Sequence, residues 1–180
     1  MFRSLIIAVC LSHLAANGLA AESNYNLGVE AWREKQFSTA RKHWEATLSE
    51  GGQDEAFNNL GYLLYHGEGG SADKVRAVAL WRKGAALGVS EAQLYLANAY
   101  KEGGGVPMNL ARSYAWYLCA IQTAIKNSKV EPVELKIQRS AENDAEKLAL
   151  RLSSADIASG RKQAEELIVK YSTRLSKNEP

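Results

Sequence analysis

The sequence is short of cysteine, of proline and of net charge, and each shortage narrows what the chain can be. Two cysteines occur in 180 residues, Cys10 and Cys119. They permit one internal disulfide at most, so a disulfide framework is excluded and the fold must be held by its core. Only three prolines interrupt the chain, which leaves long stretches free of helix breakers. Alanine and leucine fill those stretches, a composition that leans towards helix. The net charge is +2, so no electrostatic footprint for nucleic acid or an acidic membrane is present. Long apolar runs are also scarce. Leu5–Leu14, with His13 inside it, is too short for a comfortable transmembrane helix. What remains is ordinary for a globular chain: 46% apolar and 23% charged residues, with length enough for one sizeable core.

The N-terminus has its own layout. "MFRSLIIAVCLSHLAANGLAAESN" opens on Arg3, continues through the apolar run and ends in small residues at Gly18, Ala20 and Ala21. These are the charged, apolar and cleavage-site regions of a secretory signal, with cleavage after Ala20 or Ala21. An uncleaved anchor is the rival reading. A lipoprotein signal is disfavoured, because Cys10 lies inside the apolar run. Removal of residues 1–21 takes Cys10 away and leaves Cys119 in "AWYLCAI", where a thiol reads as a small buried hydrophobe. The expected location is periplasmic or secreted, with no stable membrane insertion after cleavage.

Signs of chemistry are few. His43 and His66, the histidines beyond the leader, have no cysteine or acidic cluster at ligand spacing. "GVSEA" joins two structural units and is not a nucleophile elbow. Glu142 and Asp144 stand two apart, on different sides of a helix. Basic runs interleaved with stacking aromatics are not evident. The sequence therefore points to no enzyme, no cofactor and no metal.

The chain does contain a repeat. "EAFNNLGYLLYHGEGGSADKVRAVALWRKGA" from Glu55 aligns without a gap on "EAQLYLANAYKEGGGVPMNLARSYAWYLCAI" from Glu91. Leu60 falls on Leu96, Gly61 on Ala97, Gly67 and Gly69 on Gly103 and Gly105, Asp73 on Asn109, Arg76 on Arg112 and Ala79 on Ala115. A shorter copy, "YNLGVEAWREKQFSTARKHWEATLSEGG", precedes them with Leu27-Gly28, Ala40 and Trp44, but only "EKQF" between its two helices. Each unit reads as two helices. Ala56, Leu60, Gly61 and Leu64 form one face of the first; Val75, Ala79, Leu80 and Lys83 share a face of the second, flanked by Trp81. Asp73 and Asn109 suit helix N-caps, and Gly51-Gly52 and Gly88 suit helix ends. The glycine cluster recurs between helices, and Lys74 becomes Leu110 in the second copy. A phosphate loop would follow a strand and keep its lysine, so "YHGEGGSADK" reads as a turn.

The order Leu-Gly, Gly-x-Gly, Asp or Asn, Ala and aromatic, then Gly before Glu-Ala resembles the Sel1-like repeat. That family is related to the tetratricopeptide repeat and has a longer glycine-containing loop. The first unit is closer to a plain tetratricopeptide hairpin. The resemblance implies an all-α fold, a right-handed α-α superhelix (solenoid) of stacked hairpins. Its expected parts are a first hairpin at 22–52, repeats at 53–88 and 89–124, C-terminal capping helices at 125–176 and a frayed tail at 177–180. Gly84 stands where the family prefers alanine, at about 1 kcal/mol of helix propensity. The cysteine pair of the cysteine-rich members is missing, so no activity of that subgroup carries over.

In the C-terminal third, Pro132 suits a first helical turn. Val133, Ile137, Ala141, Ala145, Leu148 and Leu152 form a stripe. "SSAD" at 153–156 resembles a capping box, and Ile157, Ala164, Leu167, Ile168, Tyr171 and Leu175 form a second stripe. Covering the open end of the last repeat is the expected role; pairing of two chains through the stripe is the alternative, so a monomer or weak dimer is expected.

Function then falls to the surface. In tetratricopeptide-like arrays the first helix of each hairpin lines a concave groove. Its candidates here are Tyr25, Val29, Trp32 and Arg33; Asn58, Asn59, Tyr62, Tyr65 and His66; and Leu94, Tyr95, Asn98 and Lys101. Such aromatic and amide side chains suit a protein or peptide partner, although Tyr62 and Tyr65 serve equally well as padding between helices. The sequence reading is a scaffold for a protein or peptide in the cell envelope. A wall-acting hydrolase using Glu91 or Glu102 is the enzymatic alternative, with no second group placed to help it.

Overall fold

The computed structural model describes residues 23–128 and 132–175; the signal sequence and the tail expected at the two ends lie outside them. Eight helices and no strand occur among the described residues: α1 (Asn24–Arg33), α2 (Phe37–Ser49), α3 (Glu55–His66), α4 (Lys74–Ala86), α5 (Ser90–Glu102), α6 (Leu110–Asn127), α7 (Glu134–Ala149) and α8 (Ser154–Leu175). Each helix through α6 packs on the next, and α3 and α5 also touch. The result is the α-α solenoid of stacked hairpins. The end differs from a further hairpin: α7 and α8 each pack chiefly on α6 rather than on each other.

The helix ends follow the local chemistry. Asp73 Oδ1 accepts from the Arg76 amide at 2.9 Å, and Asn109 Oδ1 from the Arg112 amide at 2.8 Å. Ser153 Oγ accepts from the Asp156 amide at 3.1 Å and donates to its carboxylate. Pro132 precedes α7 by a turn rather than opening it, since the helix begins at Glu134 behind Val133.

The glycine loops do more than reverse the chain. Gly69 and Gly105 have φ of +76° and +78°, a region in which a side chain is strained. A Cβ on Gly69 would lie 2.4 Å from the Phe37 carbonyl carbon, and one on Gly105 would lie 2.3 Å from the Lys74 oxygen. Each loop therefore seats its backbone on the start of the preceding unit's second helix. Arg41 of α2 reaches the same loop, donating to the carbonyls of Leu63 (2.8 Å) and Ser71 (3.2 Å). Such contacts fix the stacking of one repeat on the last.

The core runs the length of the array between the two rows of helices. Trp44 lies under Gly28 and Trp81 under Gly61; a Cβ at either glycine would come within 2.5 Å of the indole nitrogen. The expected face of α3 is buried, whereas that of α4 is not: Val75, Ala79 and Lys83 are exposed, and Ala77, Val78, Trp81, Gly84 and Ala85 turn inward beside Leu80. The large Trp81 ring sets that rotation. Gly84 gains a packing reason, because Ala92 and Phe57 would stand 3.1 and 3.2 Å from a Cβ there. In α7 the stripe Ile137, Ala141, Ala145 and Leu148 is buried, while Val133 at its start is exposed.

Candidate functional site

Three successive first helices, α1, α3 and α5, stand side by side and open a cleft of about 430 Å³. Its lining comes from α1 (Tyr25, Val29, Trp32), α2 (Trp44), α3 (Asn58, Asn59, Tyr62) and α5 (Glu91, Tyr95). The repeat places these residues: the helical period that turns Leu60, Gly61 and Leu64 to the core turns Asn59 and Tyr62 towards the neighbouring first helices. The Tyr62 and Tyr95 rings sit 5.6 Å apart and tilted, and Tyr95 stacks on the core ring of Trp81 at 5.3 Å. Trp32 stands at the rim, 46% exposed.

The floor is polar. Asn58 is only 3% exposed. Its Nδ2 donates to Glu91 Oε2 at 2.9 Å, and its Oδ1 has no partner among the described residues. Trp44, 2% exposed, also has an unpartnered indole N–H. A buried polar atom without a partner costs free energy, so a cleft carrying two of them is suited to a ligand with hydrogen-bonding groups. Burial pushes the Glu91 carboxyl above its usual range; Tyr95 and Asn58 oppose that shift by hydrogen bonding, and Glu134 adds to it. Burial, reinforced by Glu91, likewise raises the Tyr95 phenol. Tyr25 is raised chiefly by burial and then by Glu55.

The structure sorts the expected groove residues. Tyr25, Trp32, Asn58, Asn59, Tyr62 and Tyr95 converge on the cleft, with Val29. Asn58, a groove candidate by sequence, is buried, and its amide donates to Glu91. Tyr65 is not a groove residue. It is 8% exposed, its ring lies 5.0 Å from Trp81, and its hydroxyl donates to Glu102 at 3.1 Å. A Cβ on Gly104 would occupy the Tyr65 hydroxyl's place, so this tyrosine fills the seam between repeats, and burial first, then Glu102, lifts its phenol to about 12. Arg33 points out to Glu30. Asn98 and Lys101 form a separate cluster, with Lys101 Nζ donating to Asn98 Oδ1 at 3.1 Å and lying over the Tyr117 ring, whose hydroxyl also meets Asn98. Leu94 is buried, and His66 is exposed against the Tyr62 ring.

Sequence reasoning missed Trp44 and placed Glu91 only in the enzymatic alternative. The signal for Trp44 was its match to Trp81, which hid a difference: Trp81 Nε1 donates to the Asn58 carbonyl at 3.3 Å, and Trp44 finds no such acceptor. The other carboxylate considered, Glu102, is exposed and outside the cleft. No cluster of three potential metal ligands occurs among the described residues. None of the described helices is long and apolar enough to cross a membrane.

An all-helical solenoid with a cleft across the inner helices of successive hairpins defines a helical-repeat protein. Residues 55–89 and 90–122 match the Sel1 repeat family model. Sel1 repeats are typically protein-interaction scaffolds. Two solved structures share the fold. One is c5321, a protective antigen of uropathogenic Escherichia coli strains displaying an SLR fold, with 22% identity over 89% of this chain and a TM-score of 0.64. This chain covers 33% of that protein's length. The other is a Sel1 repeat protein from Oxalobacter formigenes, with 20% identity over 87% of this chain and 73% of its own, and a TM-score of 0.53. No curated protein matches the chain.

Proposed function

We propose that this protein is an exported scaffold, placed in the cell envelope by its N-terminal signal, that holds a segment of a partner protein in the cleft between α1, α3 and α5 and carries out no catalysis. The observation that carries this reading is the cleft itself, walled by aromatic rings and floored by buried polar atoms that lack partners. Aromatic side chains offer large contact area at low entropic cost, and they are what interfaces favour. Selection of a random peptide library on the purified protein tests it. Enriched peptides should lose binding to Trp32→Ala and Tyr62→Ala while these variants keep their helical circular dichroism. Peptides that bind all three proteins alike would overturn it. Export is tested apart from binding, by fusing residues 1–21 to a reporter active only outside the cytoplasm.

The position of Glu91 keeps the hydrolase reading as a second one, since a carboxyl raised by burial is the form a general acid needs. Both its oxygens are engaged by Asn58 and Tyr95, which favours the scaffold. Turnover of purified wall polymer by the wild type, abolished in Glu91→Gln, would reverse that preference.

A further inference from the structure

The scaffold reading leaves the partner's chemistry open, and the cleft narrows it. Its lining includes Tyr25, Trp32, Tyr62 and Tyr95, and among the described residues no lysine, arginine or histidine contributes to it. The one charged group lining it is Glu91. Among the described residues that carboxylate is held by neutral donors, Asn58 Nδ2 at 2.9 Å and the Tyr95 hydroxyl at 3.5 Å, and no described cation lies within salt-bridge distance. Beside it sits the unpartnered acceptor Asn58 Oδ1. Electrostatic influence from Glu55 and Glu134 adds negative potential at the two sides. Arg33, on the same helix as Trp32, is paired with Glu30, and the His66 ring lies tilted against Tyr62 outside the cleft lining.

A buried carboxylate without a cation is costly, and truncating or leaving out a charge partner is what makes it so. Aromatic faces attract cations through their quadrupoles, most strongly where water is excluded. Several acceptors in a row favour a planar fork of donors over a point charge. Resting on the scaffold reading above, we propose that the cleft receives the guanidinium of an arginine in the partner segment, donating to Glu91 while its plane lies against the cleft tyrosines. The segment it selects is therefore a basic one.

Three short capped peptides, Ac-Ala-Arg-Ala-NH2 and its lysine and citrulline forms, are titrated into the protein while its indole and side-chain amide NMR signals are followed. Citrulline keeps the planar shape of arginine but removes the charge and replaces one NH2 donor by a carbonyl acceptor. The arginine peptide should bind about tenfold more tightly than the citrulline peptide, the scale of one charge-assisted hydrogen bond, with lysine between them. In Glu91→Gln, nearly isosteric and able to keep the Asn58 bond, the difference between arginine and citrulline should vanish. Trp32→Ala, changed only at the exposed rim, should weaken all three. Equal binding of arginine and citrulline by the wild type, or a preference that survives in Glu91→Gln, overturns the inference, as does lysine binding more tightly than arginine. If none of the three binds while library-selected peptides still depend on Trp32 and Tyr62, the cation assignment falls and the scaffold reading stands. If those peptides fail too, both fall.

Discussion

At the scale of single residues, a glycine, a tyrosine and a glutamate decide most. Gly61 is small because Trp81 occupies the space beside it. Gly61→Ala should cost about 1–3 kcal/mol in urea unfolding, the usual penalty of overpacking a filled core. Tyr65→Phe removes the hydroxyl that meets Glu102. It should cost about 1 kcal/mol and leave peptide binding untouched, because the ring lies in the seam and not in the cleft. Glu91 has a sign of its own. Its folded-state pKa is raised, mainly by burial, so the folded state holds the proton more firmly than the unfolded chain. Stability falls as pH rises from the unfolded value through the folded one, and the penalty persists above it. Wild type should therefore lose stability relative to Glu91→Gln across that window, and the two curves should approach one another at lower pH. Asp54, also raised by burial, is common to both proteins and cancels in the difference. Parallel curves would show that Glu91 titrates as it does in the unfolded chain.

At the scale of elements, the glycine loop is the joint between repeats. Gly69 and Gly105 combine a left-handed backbone with contact to the preceding helix. Gly69→Ala or Gly105→Ala should cost at least about 2 kcal/mol, against about 1 kcal/mol for removing the neighbouring cap in Asp73→Ala. Chemical unfolding of the three variants side by side checks the order. The recurrence of these glycines was legible in the sequence because a turn between helices repeats with its unit. Their contact with the preceding unit was not, since nothing along the chain announces which backbone will lie against another. The rotation of α4 was misjudged for a similar reason. Val75, Ala79, Leu80 and Lys83 are a valid helical face by spacing, yet the volume of Trp81 under Gly61 turns a different face inward.

At the scale of the whole molecule, α7 and α8 close the array by covering α6. The stripe on α7 is consumed within the chain, where Ile137, Ala141, Ala145 and Leu148 are buried. The stripe expected on α8 is less covered, with Ala164 buried and Ile157, Leu167, Ile168 and Tyr171 half-buried. Sedimentation should return a mass that does not change with concentration, and a mass that doubles would place a partner on another surface. Truncation after Asn127 would strip the cover from Trp116, Cys119 and Ala120, and should give aggregation or loss of cooperative unfolding. Burial pushes the Cys119 thiol up to about 12, so it should resist thiol reagents until the C-terminal helices open.

The sequence by itself determined the repeat, its two-helix unit, the caps and the row of first helices on which a groove could form. These follow from local period and local hydrogen bonding, which adjacent residues specify. The tertiary structure alone decided which members of that row share a cleft. It brought Asn58 to Glu91 across two helices and took Tyr65 into the seam. It also moved Asn98 and Lys101 to a different cluster and left Trp44 and Asn58 with unmet hydrogen bonds. Burial and charge pairing depend on what packs opposite, and in a stacked array the opposite residue belongs to the next repeat.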